Sequence, residues 1–100
     1  MAKEQLTICL RRAMNKVWSD EAWKDYLYWQ TQDNKTLRRI NLLIQDIDRN
    51  RYDGIGKPEP LGENWSGFWS RRIDEKNRLV YRIQNNNIEI AQCRTHYKDK

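Results

Sequence analysis

Apolar positions along this 100-residue chain change their period once, from a helical three-or-four spacing in the first half to strict alternation in the second. Asn15 to Trp18 predicts a short strand. Ser19 followed by Asp20 and Glu21 then predicts a helix N-cap with acids in the first turn, where they complement the helix dipole. In that helix Ala22, Trp23, Tyr26, Leu27 and Gln30 form the inward stripe, and Lys24 and Asp25 fall outward. Asp33-Asn34 ends it and caps a second helix, about Lys35 to Asn50, whose stripe is Leu37, Ile40, Leu43, Ile44 and Ile47. Arg38, Gln45, Asp48 and Arg49 lie opposite that stripe.

Tyr52 to Asn64 changes character, because three of the four glycines and both prolines fall within it. It reads as a loop, and Glu59, between Pro58 and Pro60, is presented with little backbone freedom. Beyond it, Trp65 to Ile73, Arg78 to Gln84 and Ile88 to His96 read as strands joined by turns at 74–77 and 85–87. The expected fold is α+β, with two N-terminal helices on one face of a small twisted antiparallel sheet that the strand near Val17 extends. One hundred residues support a single core. The domain reads as 14–97, with an N-terminal extension at 1–13 and a short tail at 98–100.

Charge narrows the partners. Nineteen Lys and Arg against fourteen Asp and Glu give a net charge of +5, which favours nucleic acid, an anionic membrane surface or an acidic protein. The cations recur within predicted elements, so they form a folded basic face and not a basic arm. Cys9 and Cys93 stand far apart without metal-ligand spacing, so neither a disulfide framework nor a metal site is expected, and no cofactor is called for. No stretch has the apolar length of a signal or a membrane span, which makes the cytoplasm the expected compartment.

Alternation places Ile88, Ile90, Gln92, Arg94 and His96 on one face of the last strand, and Arg78, Val80 and Arg82 on one face of the strand before it. Since these strands run antiparallel, His96 and Arg78 meet at one end of the sheet, with Arg72 one turn away. A carboxylate, an arginine and a histidine suffice to cut RNA without metal: a base takes the 2′-hydroxyl proton, a cation stabilises the phosphorane, and an acid protonates the leaving oxygen. Glu59 is the candidate base, Arg78 the phosphate clamp with Arg72 in support, and His96 the acid, its reference pKa of about 6.5 suiting exchange near neutrality. Trp65 and Phe68, beside Arg71 and Arg72, are candidates for stacking bases of single-stranded RNA, whereas Trp69 is expected in the core or a subunit interface. A non-catalytic module binding RNA, DNA or the ribosome through the same face would need Arg71, Arg72 and Arg82 but not His96.

The segments Trp18-Ser19-Asp20-Glu21-Ala22-Trp23, Gly56-Lys57-Pro58-Glu59-Pro60-Leu61, Ser66-Gly67-Phe68-Trp69-Ser70-Arg71-Arg72-Ile73, Arg78-Leu79-Val80-Tyr81, Cys93-Arg94 and His96-Tyr97 occur in the order found in one toxin family. The chain resembles the YoeB branch of the RelE superfamily, toxins of type II toxin–antitoxin modules, from about Met14 to Tyr97. That resemblance implies a RelE-like fold and a ribosome-dependent mRNA interferase that cleaves message in the ribosomal A site. It also implies a homodimer neutralised by a YefM-like antitoxin. The family's base, arginine and acid fall on Glu59, Arg78 and His96, its closing tyrosine on Tyr97, and a further substrate contact on Arg72. Where members often carry a lysine after the loop's Pro-Leu, this chain has Gly62-Glu63, so that charge is either absent or supplied by Lys57.

Overall fold

A computed structural model describes residues 13–95; nearly all of the expected N-terminal extension, His96, Tyr97 and the tail lie outside the described residues. In chain order the elements are β1 (Asn15–Trp18), α1 (Asp20–Gln32), α2 (Asn34–Asn50), β2 (Glu59–Pro60), a 3-10 turn (Glu63–Trp65), β3 (Trp69–Arg72), β4 (Arg78–Gln84) and β5 (Asn87–Gln92). The five strands form one sheet in the order β1-β5-β4-β3-β2. Two helices and one sheet give the α+β fold expected. The sheet is mixed, however, because β1 pairs parallel to β5 while every other pairing is antiparallel. Side-chain alternation carries no information on strand direction, so the polarity of β1 was not readable from it.

Local chemistry sets the helix ends as expected. Ser19 Oγ accepts from the Ala22 amide at 3.0 Å, and Asp33 closes α1 and caps α2, accepting from the amides of Lys35 and Thr36 and from the Thr36 hydroxyl. Those bonds, led by the Thr36 hydroxyl, hold the Asp33 carboxyl below its usual range. Ile40, Leu43, Ile44 and Ile47 of α2 are buried against Leu79, Tyr81, Ile88 and Ile90 of the sheet, the stripe the periodicity predicts. Each such side chain contributes about 1.5–3 kcal/mol by leaving water.

Helix α1 departs from expectation. Trp23 and Leu27 are 46% and 42% exposed, while Asp25, expected outside, is only 2% exposed. The inward stripe is instead Ala22, Asp25 and Trp29. Asp25 accepts the Cys93 amide at 3.0 Å and Trp29 Nε1 donates to the Cys93 carbonyl at 2.8 Å, so a polar clamp replaces an apolar contact there. A carboxylate with a buried amide to satisfy can turn inward, which hydropathy alone does not reveal.

The strands are also shorter than alternation suggests. Gly67, at φ +93°, and the 3-10 turn keep residues 65–68 out of the sheet, and β3 starts at Trp69. On the last strand Tyr81 pairs with Ile90 but Val80 pairs with Gln92, so Ala91 is an extra, bulged residue. The bulge turns Gln92 away from the helices, beside Val80, and lets Cys93 point inward. Gln92 therefore does not share a face with Ile88 and Ile90, as strict alternation had it.

Candidate active site

The open face of the sheet, away from the helices, carries the candidate chemistry in three rows set by strand register. In the middle row Glu59 opposes Ser70, Ser70 opposes Val80, and Val80 opposes Gln92. On one side Arg72 opposes Arg78. On the other, Arg82 opposes Glu89, with Phe68 over its guanidinium. Directly paired residues point to the same side of a sheet, so a carboxylate, two arginines and an aromatic–cation pair share one surface. The Cα atoms of Glu59 and Arg78, two strands and two residues apart, are separated by roughly 12 Å, a gap wide enough for a phosphate between their side chains.

Glu59 owes its place to its neighbours. Residues preceding proline are held extended, so Pro60 keeps Glu59 in strand geometry, and Pro60, lacking an N–H, is tolerated because β2 is an edge strand. Its two-residue length left no periodicity to read, and the segment was expected to be loop throughout. The Glu59 side chain is exposed and accessible to a ligand. Ser70, Val80 and Gln92 beneath it are buried and make a closed floor.

Arg78 opens β4 immediately after the 74–77 turn. Asp74 Oδ1 accepts from the amides of Lys76 and Asn77 at 2.8 and 2.7 Å, which sets that turn. Partial burial works against the Asp74 charge, but the hydrogen bonds from the Asn77 side chain, the two amides and nearby Arg78 outweigh it and lower its pKa. Arg78 Nη1 donates to the Asp74 carbonyl at 3.0 Å, while Nε and Nη2 have no partner among the described residues. A guanidinium tethered at one nitrogen presents the others as a fork suited to a phosphate.

The remaining candidates separate. Arg72 is exposed beside Arg78, and Lys57, at φ +51°, is exposed two residues before Glu59. Trp65 meets Phe68 edge-on, with ring centroids 5.4 Å apart, and Arg82 Cζ lies 4.8 Å over the Phe68 ring while Nε reaches Glu89 at 2.5 Å. His96 and Tyr97 lie outside the described residues; Arg94, two residues before His96, packs its guanidinium 3.5 Å over Tyr28 of α1. Among the described residues no His, Cys, Asp and Glu are grouped to hold a metal ion.

Arg71, a candidate for contacting substrate, belongs elsewhere. It is 0% exposed, on the helix side of β3. Its Nε donates to the Tyr81 hydroxyl, Nη1 to Asp46 Oδ2 and the Ile55 carbonyl, and Nη2 to the carbonyls of Arg51 and Asp53. These five bonds use every donor that a guanidinium has. The signal was present in the sequence, since the alternation that takes Trp69 into the core takes Arg71 with it. Asp46, its anionic partner, and the floor residues Ser70 and Gln92 were not singled out, because nothing short-range marks them.

A family model described as the YoeB-like toxin of bacterial type II toxin–antitoxin systems matches residues 18–97. Toxin YoeB of Escherichia coli (strain K12) is 54% identical over 84 residues, covering 84% of this chain and all of that protein. Among solved structures, the YoeB/ParE toxin from Agrobacterium tumefaciens is similar with a TM-score of 0.82 at 43% identity, over 84% of this chain and 100% of that one. The heterotetrameric YoeB–YefM toxin–antitoxin complex from Staphylococcus aureus is similar at 0.79 and 47%, over 84% and 98%. A YoeB dimer from Staphylococcus aureus gives 0.79 and 46%, over 85% and 99%.

Proposed function

This chain belongs to the YoeB-like toxins of bacterial type II toxin–antitoxin systems, and from that membership we propose that it is an mRNA interferase that cleaves message held in the ribosomal A site. The observation that carries the reading is the shared face: Glu59 lies one row from the Arg72–Arg78 pair, over a closed floor. A scissile phosphate seated between them would meet a carboxylate on one side and two guanidinium groups on the other.

In this reading Glu59 removes the 2′-hydroxyl proton, and the resulting oxygen attacks the adjacent phosphorus. Charge builds on the non-bridging oxygens and is met by Arg78, with Arg72 alongside. The bond from phosphorus to the 5′-oxygen then breaks, leaving a 2′,3′-cyclic phosphate. His96 protonates the departing oxygen to give the 5′-hydroxyl, and Tyr97 completes the site. Lys57 supplies a cation beside the base, and Trp65 and Phe68 offer a surface on which a neighbouring nucleobase stacks.

The partners follow from the same membership. A YefM-like antitoxin, acidic and partly disordered, suits the net charge of +5. Val17, Trp23 and Leu27 leave an exposed apolar surface along β1 and α1 that suits a second copy of the chain. The ribosome places the action in the cytoplasm; among the described residues no helix is long and apolar enough to cross a membrane.

The direct test is purified protein added to programmed ribosomes, with fragment ends mapped. Cutting at the A-site codon that falls about 100-fold or more in Glu59→Gln supports the reading. Undiminished cutting by Glu59→Gln would remove the assigned base. Ribosome binding with no fragments would instead favour a non-catalytic docking module.

A further inference from the structure

We propose that Arg71 is the positioning residue for Glu59, acting through the loop at 51–56 without touching substrate. The proposal rests on the reading of Glu59 as the base.

Glu59 sits on an edge strand of only two residues, paired to a single neighbour. That pairing alone is too short to place a carboxylate within the few tenths of an ångström that proton abstraction requires. The chain entering β2 is moreover glycine-rich and adopts positive φ at Arg51, Gly54, Gly56 and Lys57, a conformation that local preferences do not sustain.

Arg71 supplies the missing constraint. It sits one residue after Ser70, the pairing partner of Glu59, and its side chain reaches back beneath the loop. There it binds the carbonyls of Arg51, Asp53 and Ile55, three alternate residues of one turn. Asp46 of α2 completes the node, accepting from Arg71 Nη1 at 2.5 Å and from the Ile55 amide at 3.0 Å. The Gly56 carbonyl then accepts the Arg72 amide at 2.7 Å, and Gly56 has no room for a side chain, because a Cβ would stand 2.9 Å from Leu43 Cδ2 and 3.2 Å from Arg71 Cβ. The loop is thus fastened at Arg51, Asp53, Ile55 and Gly56 to the strand that receives Glu59. A planar fork with all donors engaged fixes orientation as well as distance, which a lysine does not reproduce.

The test compares wild type, Asp46→Asn, Arg71→Lys, Glu59→Gln and the Asp46→Asn/Glu59→Gln double variant in single-turnover cleavage of ribosome-bound message. Folding of each is checked by circular dichroism and urea midpoint. Asp46→Asn is included because Asp46 is partly exposed and preserves volume, so it reports even where Arg71→Lys does not fold. The expected result is a maximal rate lowered about 10- to 100-fold by Asp46→Asn with half-saturation unchanged, and no further loss when Asp46→Asn is added to Glu59→Gln. Amide exchange should quicken at Ile55 and Arg72 and stay unchanged at Asn77. A loss that multiplies in the double variant, or one confined to half-saturation, overturns the proposal. Full activity of Glu59→Gln would overturn the base assignment itself, a different and separately visible result.

Discussion

The buried carboxylate of Asp25 accepts the backbone amide of Cys93 across 68 residues of sequence, and so ties α1 to the end of β5. Trp29 seconds it at the Cys93 carbonyl, and Tyr28 receives the Arg94 guanidinium on its ring. One helix therefore grips residues 93 and 94 just before the positions assigned to acid and tyrosine. Burial, aided by the Asp25 charge, pushes the Cys93 thiol well above its ordinary range, so it stays protonated at neutral pH.

Removing that carboxylate should therefore cost stability and activity together. Asp25→Ala leaves the buried Cys93 amide unsatisfied and is expected to lower unfolding free energy by about 1–3 kcal/mol, read from the urea midpoint. Asp25→Asn keeps an acceptor and should cost less. Equal losses in the two variants would show that the hydrogen bond is not what matters.

If Arg78 is the proposed phosphate clamp, Arg78→Ala is expected to slow cleavage of ribosome-bound message by about 100- to 1,000-fold. Arg72→Ala should cost less, and Arg82→Ala least, because Arg82 is engaged with Glu89 and Phe68. Single-turnover rates rank the three, and a larger loss from Arg82 than from Arg78 would relocate the phosphate to the other side of the Glu59 row.

Trp23→Ala should shift the proposed dimer to monomer, because Trp23 is half exposed on the apolar surface of α1. Within one protomer Trp23 packs against the rings of Trp18 and Tyr26 and stays outside the buried core, so the monomer's fold should survive. Sedimentation velocity at matched concentrations decides it. An unchanged dimer would place the interface elsewhere.

Acid should destabilise the protein through specific carboxylates. Burial disfavours the charged form of Asp46, yet the Arg71, Ile55 and Asn50 hydrogen bonds outweigh it and lower its pKa, as the corresponding bonds do at Asp74 and Asp33. A carboxyl with a folded-state pKa below its unfolded value contributes stability above the unfolded value, about 3.9, and loses it as pH falls through the folded one. Stability from these groups should hold down to about pH 5 and decline below about pH 4. In Asp46→Asn the acid limb of the urea-midpoint profile should be shallower; an identical limb would remove Asp46 from this account.

Much of the molecule is legible in its sequence. The α2 stripe of Ile40, Leu43, Ile44 and Ile47, the caps at Ser19 and Asp33, and the turns at 74–77 and near 85–87, the latter closing to Asn85 and Asn86 because Asn87 already pairs with Gln84, follow from rules that act within a few residues. Asp25 and Trp23 exchanged their expected places because a partner far along the chain, the Cys93 amide, rewards a carboxylate inside α1. Arg71 was misplaced because a positive charge beside Arg72 suggests a ligand, while alternation with Trp69 pointed inward.

By itself the sequence determined the two helices, the order of β1, β3, β4 and β5, the basic character of the chain and, through its ordered motifs, the toxin family, since periodicity, capping and residue identity are properties of short stretches. Only the tertiary structure decided the faces: the bulge at Ala91 that turns Gln92 outward, the parallel seat of β1, and the pairing of Glu59 with Ser70 that sets it one row from Arg78. Those depend on register between strands distant in the chain. A shift of one residue exchanges the two faces of a strand without changing a letter of its sequence.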